Sequence, residues 1–186
     1  RTLKLKAELP FYAMSFHVPS LVTTDNEDKA YQLEMLAYIL DNDLSKALIR
    51  NQQIVSGISV GYRLYDKFDT LLTISVGTAQ GISKQSILQM IKTQVKALIE
   101  NPHLIEAELG RTKAQLAANF IFEQDQISTQ SYYLGMLSSV GLEVDKWLNY
   151  VDRMNQISAQ DVANVARQYL DFDTLNYVEL IPQGVK

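Results

Sequence analysis

The sequence predicts an α+β fold, an antiparallel sheet covered on one face by helices, and three observations carry that expectation. Short runs in the N-terminal part alternate apolar and polar residues at a period of two. The C-terminal half repeats its apolar residues at helical spacing. Two of the alternating runs follow each other directly as a hairpin, so strands do not alternate singly with helices as a parallel doubly wound sheet requires. The 186 residues are enough to bury a substantial core and are expected to form a single domain, 1–186.

Residues 12–18 read as a strand stopped by Pro19, with Tyr12, Met14, Phe16 and Val18 on one face. After "TTDNED", Ala30, Leu33, Leu36, Ala37 and Leu40 mark a helix. The "DND" at 41–43 predicts a break, with Asp43 capping a short second helix through Leu44, Ala47 and Leu48. Two strands follow. Ile54, Ser56, Ile58, Val60 and Tyr62 alternate with Val55, Gly57, Ser59 and Gly61, and Leu72, Ile74 and Val76 with Leu71, Thr73 and Ser75.

Ser83 is expected to cap a helix carrying Ile87, Ile91, Val95 and Leu98. Asn101-Pro102 sets up a long one, Asn as cap and Pro at the first helical position, running through Ile105, Leu109, Leu116 and Phe120 as far as Phe122. A further helix starts at Ser128 and ends near Gly141, and a shorter one carries Trp147, Val151 and Met154. Ser158, with Asp161 three residues on, caps the last helix, and "TLNYVELIP" closes the chain as a strand.

A net charge of -4 with Lys and Arg scattered among Asp and Glu offers nothing to a phosphate backbone, which excludes nucleic acid as a partner. No apolar run approaches the roughly 18 residues of a membrane span. With no cysteine there is neither disulfide nor thiolate chemistry, and composition leaves the compartment open. The opening "RTLKLKAELP" has no initiating Met and no signal-peptide pattern, so a mature product or a piece of a longer chain is expected.

Three motifs invite a catalytic reading. Gly57-Ile58-Ser59-Val60-Gly61 spells G-x-S-x-G, but a nucleophile elbow needs a helix directly after the serine, whereas here a second strand follows. A strand face of glycine and serine instead accepts a close-packed helix or an extended peptide. His103-Leu104-Ile105-Glu106-Ala107 matches the helical zinc motif H-x-x-E-H except that Ala107, with no lone pair, stands at the second histidine. The acidic pairs Glu106 with Glu108 and Asp171 with Asp173 read as solvated surface. No catalytic residue and no metal ligand is assigned to this chain.

The stretch "DNDLSKALIRNQQIVSGISVGY" resembles a segment of the pitrilysin or insulinase-type peptidases, which include the mitochondrial processing peptidases. "FHVPS", "ELGRTKAQLAANF", "ISAQDVANVARQYL" and a final strand ending at Ile181-Pro182 agree in order and separation, so the resemblance spans nearly the whole chain. It implies the metallopeptidase half-domain shared by LuxS and the processing peptidases, and specifically the C-terminal, non-zinc, substrate-chamber domain of a longer chain. It also implies a zinc held by H-x-x-E-H in a partner domain or subunit, no cofactor in this chain, and a peptide substrate. A non-catalytic scaffold or assembly subunit of the same family is the alternative.

Many members contribute an arginine and, seven residues later, a tyrosine to the substrate. Overlaying the strand places Ile49 at the arginine and Ser56 at the tyrosine, so neither is kept. Arg50 is adjacent but rotated about 100 degrees around a helix. The expected substrate-binding residues are Ser56 at the tyrosine position, Arg50 beside the arginine position and Ser59 on the strand face expected to line the chamber. Bacterial relatives of this kind often sit in the envelope, which leans the expected location toward the periplasm.

Overall fold

Apolar alternation at 70–76 becomes the middle of a sheet. In a computed structural model of the chain, which describes residues 1–51, 55–78 and 82–183, strand β4 (Thr70–Thr78) lies between β2 (Phe11–Val18) and β3 (Val55–Gly61). Strand β5 (Asn176–Pro182) pairs with the other edge of β2, and β1 (Thr2–Leu5) adds outside β5. The order is β1-β5-β2-β4-β3. All pairs are antiparallel except β1 with β5, which is parallel. Sequence alone did not disclose β1, because "TLKL" is short and half polar and its partner lies at the far end of the chain.

Tyr12, Met14, Phe16, Leu72, Ile74 and Val76 point to one side of this sheet and are buried there beneath helices. Helix α1 (Glu27–Leu44) lies against β3 and supplies Leu33, Leu36 and Leu40 to the same core. Helix α2 (Lys84–Glu100) follows the hairpin, then α3 (Pro102–Gln124), α4 (Ile127–Val140), α5 (Asp145–Leu148), α6 (Tyr150–Gln156) and α7 (Ala159–Tyr169). Helix α7 packs on β2, α1, α2 and α3, so it ties the sheet to the outer helices.

The predicted break at 41–43 is overturned. Helix α1 runs unbroken to Leu44 because Asp41 and Asp43 find partners on other elements and Asn42 bonds back within the helix. Asp41 accepts from the Val60 amide at 2.8 Å, Asp43 from Gln94 at 2.8 Å, and Asn42 donates back to the Tyr38 carbonyl at 3.0 Å. The chain then widens into a π-helical segment, Ser45–Asn51, that keeps Leu44 and Leu48 buried.

One expected cap and several helix bounds are also corrected. Asn101 makes no side-chain bond to α3; its amide donates to the Ala97 carbonyl at 2.9 Å and so closes α2 instead. Ser128 lies inside α4, which begins at Ile127, and α3 continues to Gln124 rather than stopping at Phe122. The single helix expected around Trp147 and Met154 is divided into α5 and α6 at Asn149.

Gly141 ends α4 in the left-handed conformation (φ +81), as its position after the periodic residues implied. Ser158 and Asp161 form a reciprocal capping box: the Asp161 amide donates to Ser158 Oγ at 3.2 Å, and the Ser158 amide to Asp161 Oδ2 at 2.9 Å. Replacing Ser158 with Ala is expected to cost about 1 kcal/mol, read as a lowered urea midpoint at unchanged slope.

Candidate functional site

The alternation that buries one side of the sheet leaves the other bare of any described helix, and the residues there fall into rows across the strands. Gly61, Thr73, Ser15 and Asn176 form one row. Ser59, Ser75, Ala13 and Val178 form the next, and Gly57, Gly77, Phe11 and Leu180 the third. Across β3 and β4 every one of these side chains is Gly, Ser or Thr, which keeps the surface flat and close to the backbone. Toward β5 and β1 it turns apolar, with Phe11, Val178 and Leu5 exposed. Ser15 and Thr73 share a hydrogen bond of 2.9 Å between their hydroxyls.

A bulge changes the expected facing of the first residues of β3. Val55 pairs with Thr78 and Gly57 with Gly77, so Ser56 is an extra residue with no opposite number. Sequence alternation put Ser56 on the core side with Ile58 and Val60, and Val55 on the other. The extra residue shifts the phase by one: Val55 is buried, 5% exposed, and Ser56 is exposed. A Cβ built on Gly77 would lie 2.8 Å from Ser56 Oγ, so the Ser56 hydroxyl rests over Gly77 on the bare face. Absence of a side chain at Gly77 is what gives that hydroxyl its place.

Ser59 sits exposed at the middle of β3 on this same face, one row from the Gly57–Gly77 pair. Arg50 is exposed in the last turn of the π-helical segment, and its neighbour Ile49 packs against the core. The predicted strand residue Ile54 lies outside the described residues. Structure thus brings Ser56 and Ser59 onto one surface and leaves Arg50 at the end of the preceding helical segment.

Ser59 has no elbow, since it stands in a regular strand. His17 is on the same face but two strands across and two rows along, about 16 Å away by strand geometry, and its Nε2 is 3.5 Å from Asp69 Oδ2. It is in no position to serve as the serine's base. His103, Glu106 and Ala107 are exposed in the first turns of α3, and Ala107 has no lone pair to give. These donors do not fit a zinc ion, and among the described residues no group of three or more His, Cys, Asp or Glu is placed to hold a metal.

A second feature is absent from the sequence expectations. Glu34 lies on the buried stripe of α1, four residues after Ala30 and three before Ala37, beside several tyrosines. A carboxylate interrupting an apolar helical stripe is the signal that marks it in the sequence.

No protein-family model and no curated protein matches this sequence. Solved structures do match its fold. A protease from Helicobacter pylori superposes with a TM-score of 0.82 at 17% identity, over 98% of this chain and 44% of that one. An inactive peptidase domain from Bordetella parapertussis gives 0.82 at 18% identity, over 99% of this chain and 96% of that one. An M16 peptidase inactive domain from Pseudomonas fluorescens gives 0.78 at 13% identity, over 100% and 44%. This chain therefore spans less than half of the H. pylori protease, and its fold is that of the M16 inactive domains.

Proposed function

We propose that this chain is the substrate-chamber domain of an insulinase-type zinc metallopeptidase, holding peptide on its bare sheet face while another domain or subunit supplies the zinc site. One observation carries the reading: three rows of Gly, Ser and Thr cross β3 and β4 on a face that no described helix covers. An extended peptide needs such a surface, because its backbone must approach closely and its side chains need room. Ser56 and Ser59 offer hydroxyls to peptide carbonyls, and Phe11 and Val178 offer apolar contact at the far side. Likeness of fold to the inactive peptidase domains supports the assignment. A periplasmic location belongs to the same proposal and rests on the resemblance alone.

Replacing Ser59 with Trp fills the middle row without touching the core. The variant is expected to bind a fluorescein-labelled unstructured peptide at least about tenfold more weakly by anisotropy, at an unchanged urea midpoint. Equal binding by both proteins would remove the peptide role. Ile49 and Ser56, where the resemblance has arginine and tyrosine, favour a second reading, a scaffold that pairs with a zinc-bearing partner without touching substrate. That reading requires neither the native chain nor Ser59→Trp to bind the labelled peptide.

A further inference from the structure

Beside α1, the helices and the loop between β3 and β4 line an open-mouthed cavity of about 80 Å³ with an aromatic wall and two carboxylates. Tyr133 and Trp147 stack with ring centres 5.0 Å apart and planes 14° from parallel. Phe120 meets Trp147 edge-on at 5.5 Å and stacks on Tyr150 at 5.9 Å. Two carboxylates, Glu34 from α1 and Glu123 from α3, line the same space, and no Lys or Arg does. Glu34 as a whole is partly exposed, but its Oε2 is fully shut from solvent and takes no hydrogen bond. Trp147 Nε1 on the wall is buried and unpartnered as well. Buried acceptors left without a donor are costly and uncommon in folded chains.

The geometry points to a ligand: this cavity binds the protonated head of a small primary amine, with Glu34 as its counter-ion and the Phe120, Tyr133 and Trp147 rings as its aromatic surround. Three requirements converge on that chemistry. Ring faces attract cations, most strongly Trp and Tyr. The orphaned Oε2 calls for an N–H donor, which a quaternary ammonium lacks and a primary ammonium has. At some 10–15 Å³ per water, the space takes about five to eight waters, enough for an ammonium and its first methylenes. Tyr38 and Asn119, both exposed, stand at the mouth.

Proton linkage follows from the same arrangement. Burial pushes the Glu34 carboxyl up to about 8; the Tyr150 hydroxyl pulls it partway back, and the Glu123 charge pushes it further up. The groups facing it are Tyr38 on its own helix, Tyr62 just after β3, whose hydroxyl burial also raises, Tyr65 from the hairpin loop, Glu123 from α3, Tyr133 from α4 and Tyr150 from α6. Burial raises Tyr38 and Tyr133 to about 12, and Tyr65 and Tyr150 upward too, so these hydroxyls stay neutral. An arriving ammonium favours the Glu34 carboxylate and displaces its proton.

Trp147 is the chain's single tryptophan, so intrinsic emission reports the cavity wall directly. Titrating the full chain with propylammonium chloride is expected to give a saturable emission change. Affinity should rise about 25-fold between pH 6.5 and 8.5 as Glu34 ionises, a range in which an alkyl amine stays protonated. The uncharged 1-propanol and the variant Glu34→Gln should each bind at least about tenfold more weakly. A lysine-bearing peptide binding more tightly than propylammonium would assign the head to a lysine side chain, and equal binding to a free amine; both keep the site. No saturable change, a change reproduced by sodium chloride, or 1-propanol binding as well as the amine overturns it. So does Glu34→Gln binding as well as the native chain, and should that variant misfold, the propanol and pH arms still decide.

Discussion

Replacing Glu34 with Gln is expected to leave stability at pH 4.5 nearly unchanged and to raise it by about 3–4 kcal/mol at pH 9, each measured against the native chain in the same buffer. The sign follows from the direction in which the fold moves the carboxyl. Burial raises it from 4.5 to about 8. Below 4.5 the group is protonated in both the folded and the open chain, and its titration costs nothing. As pH rises from 4.5 toward 8 the open chain ionises freely while the folded chain holds its proton, so native stability falls. Above 8 both are ionised and the loss is complete. At about 1.4 kcal/mol per pH unit the gap sets a ceiling near 5 kcal/mol, which partial solvent contact of Glu34 lowers. Gln has no such titration, so urea midpoints of the two proteins should converge at low pH and separate above pH 7. A difference that does not change with pH would show that Glu34 is ordinarily solvated. Confirmation would mean that the fold carries a carboxylate at a stability cost, as expected of a group retained for binding a cation rather than for packing.

Elements with local causes were legible in the sequence, and those with distant causes were not. The capping box at Ser158 and the left-handed stop at Gly141 each rest on residues within a few positions of one another. Strand β1 forms only because Thr2–Leu5 meets Glu179–Pro182 from the other end of the chain. Asp41 looked like part of a helix break, yet its carboxylate is taken by the Val60 amide nineteen residues away. Ser56 fits a regular alternation until Gly77 makes room for a bulge on the neighbouring strand. The same holds at the candidate sites. Ser59 and the glycines beside it were readable as a thin strand face, but the rows they complete with Thr73, Ser75, Ser15 and Ala13 depend on register. The Glu34 cavity draws on α1, the hairpin loop, α3, α4, α5 and α6, and no sequence window contains it.

Ile74→Ala and Ser75→Val, adjacent on β4, are expected to move stability in opposite directions. Ile74 is fully buried, 0% exposed, with Met14 and Val60 opposite it on the two neighbouring strands. Truncation there removes apolar contacts on both sides and leaves a hole in the core, at a cost of about 3–4 kcal/mol. Ser75 faces the other way, between Ala13 and Ser59. A valine there suits a strand better than serine and covers its neighbours, so a gain of up to about 1 kcal/mol is expected in urea unfolding. Peptide affinity should fall in the same protein, because the added methyl groups stand where an extended backbone must approach. A row of small hydroxyl residues that is less stable than the valine it could hold is then explained by what it admits. If Ser75→Val were to lose stability while binding peptide normally, the small residues would be serving the sheet itself, and the bare face would lose its claim to be a binding surface.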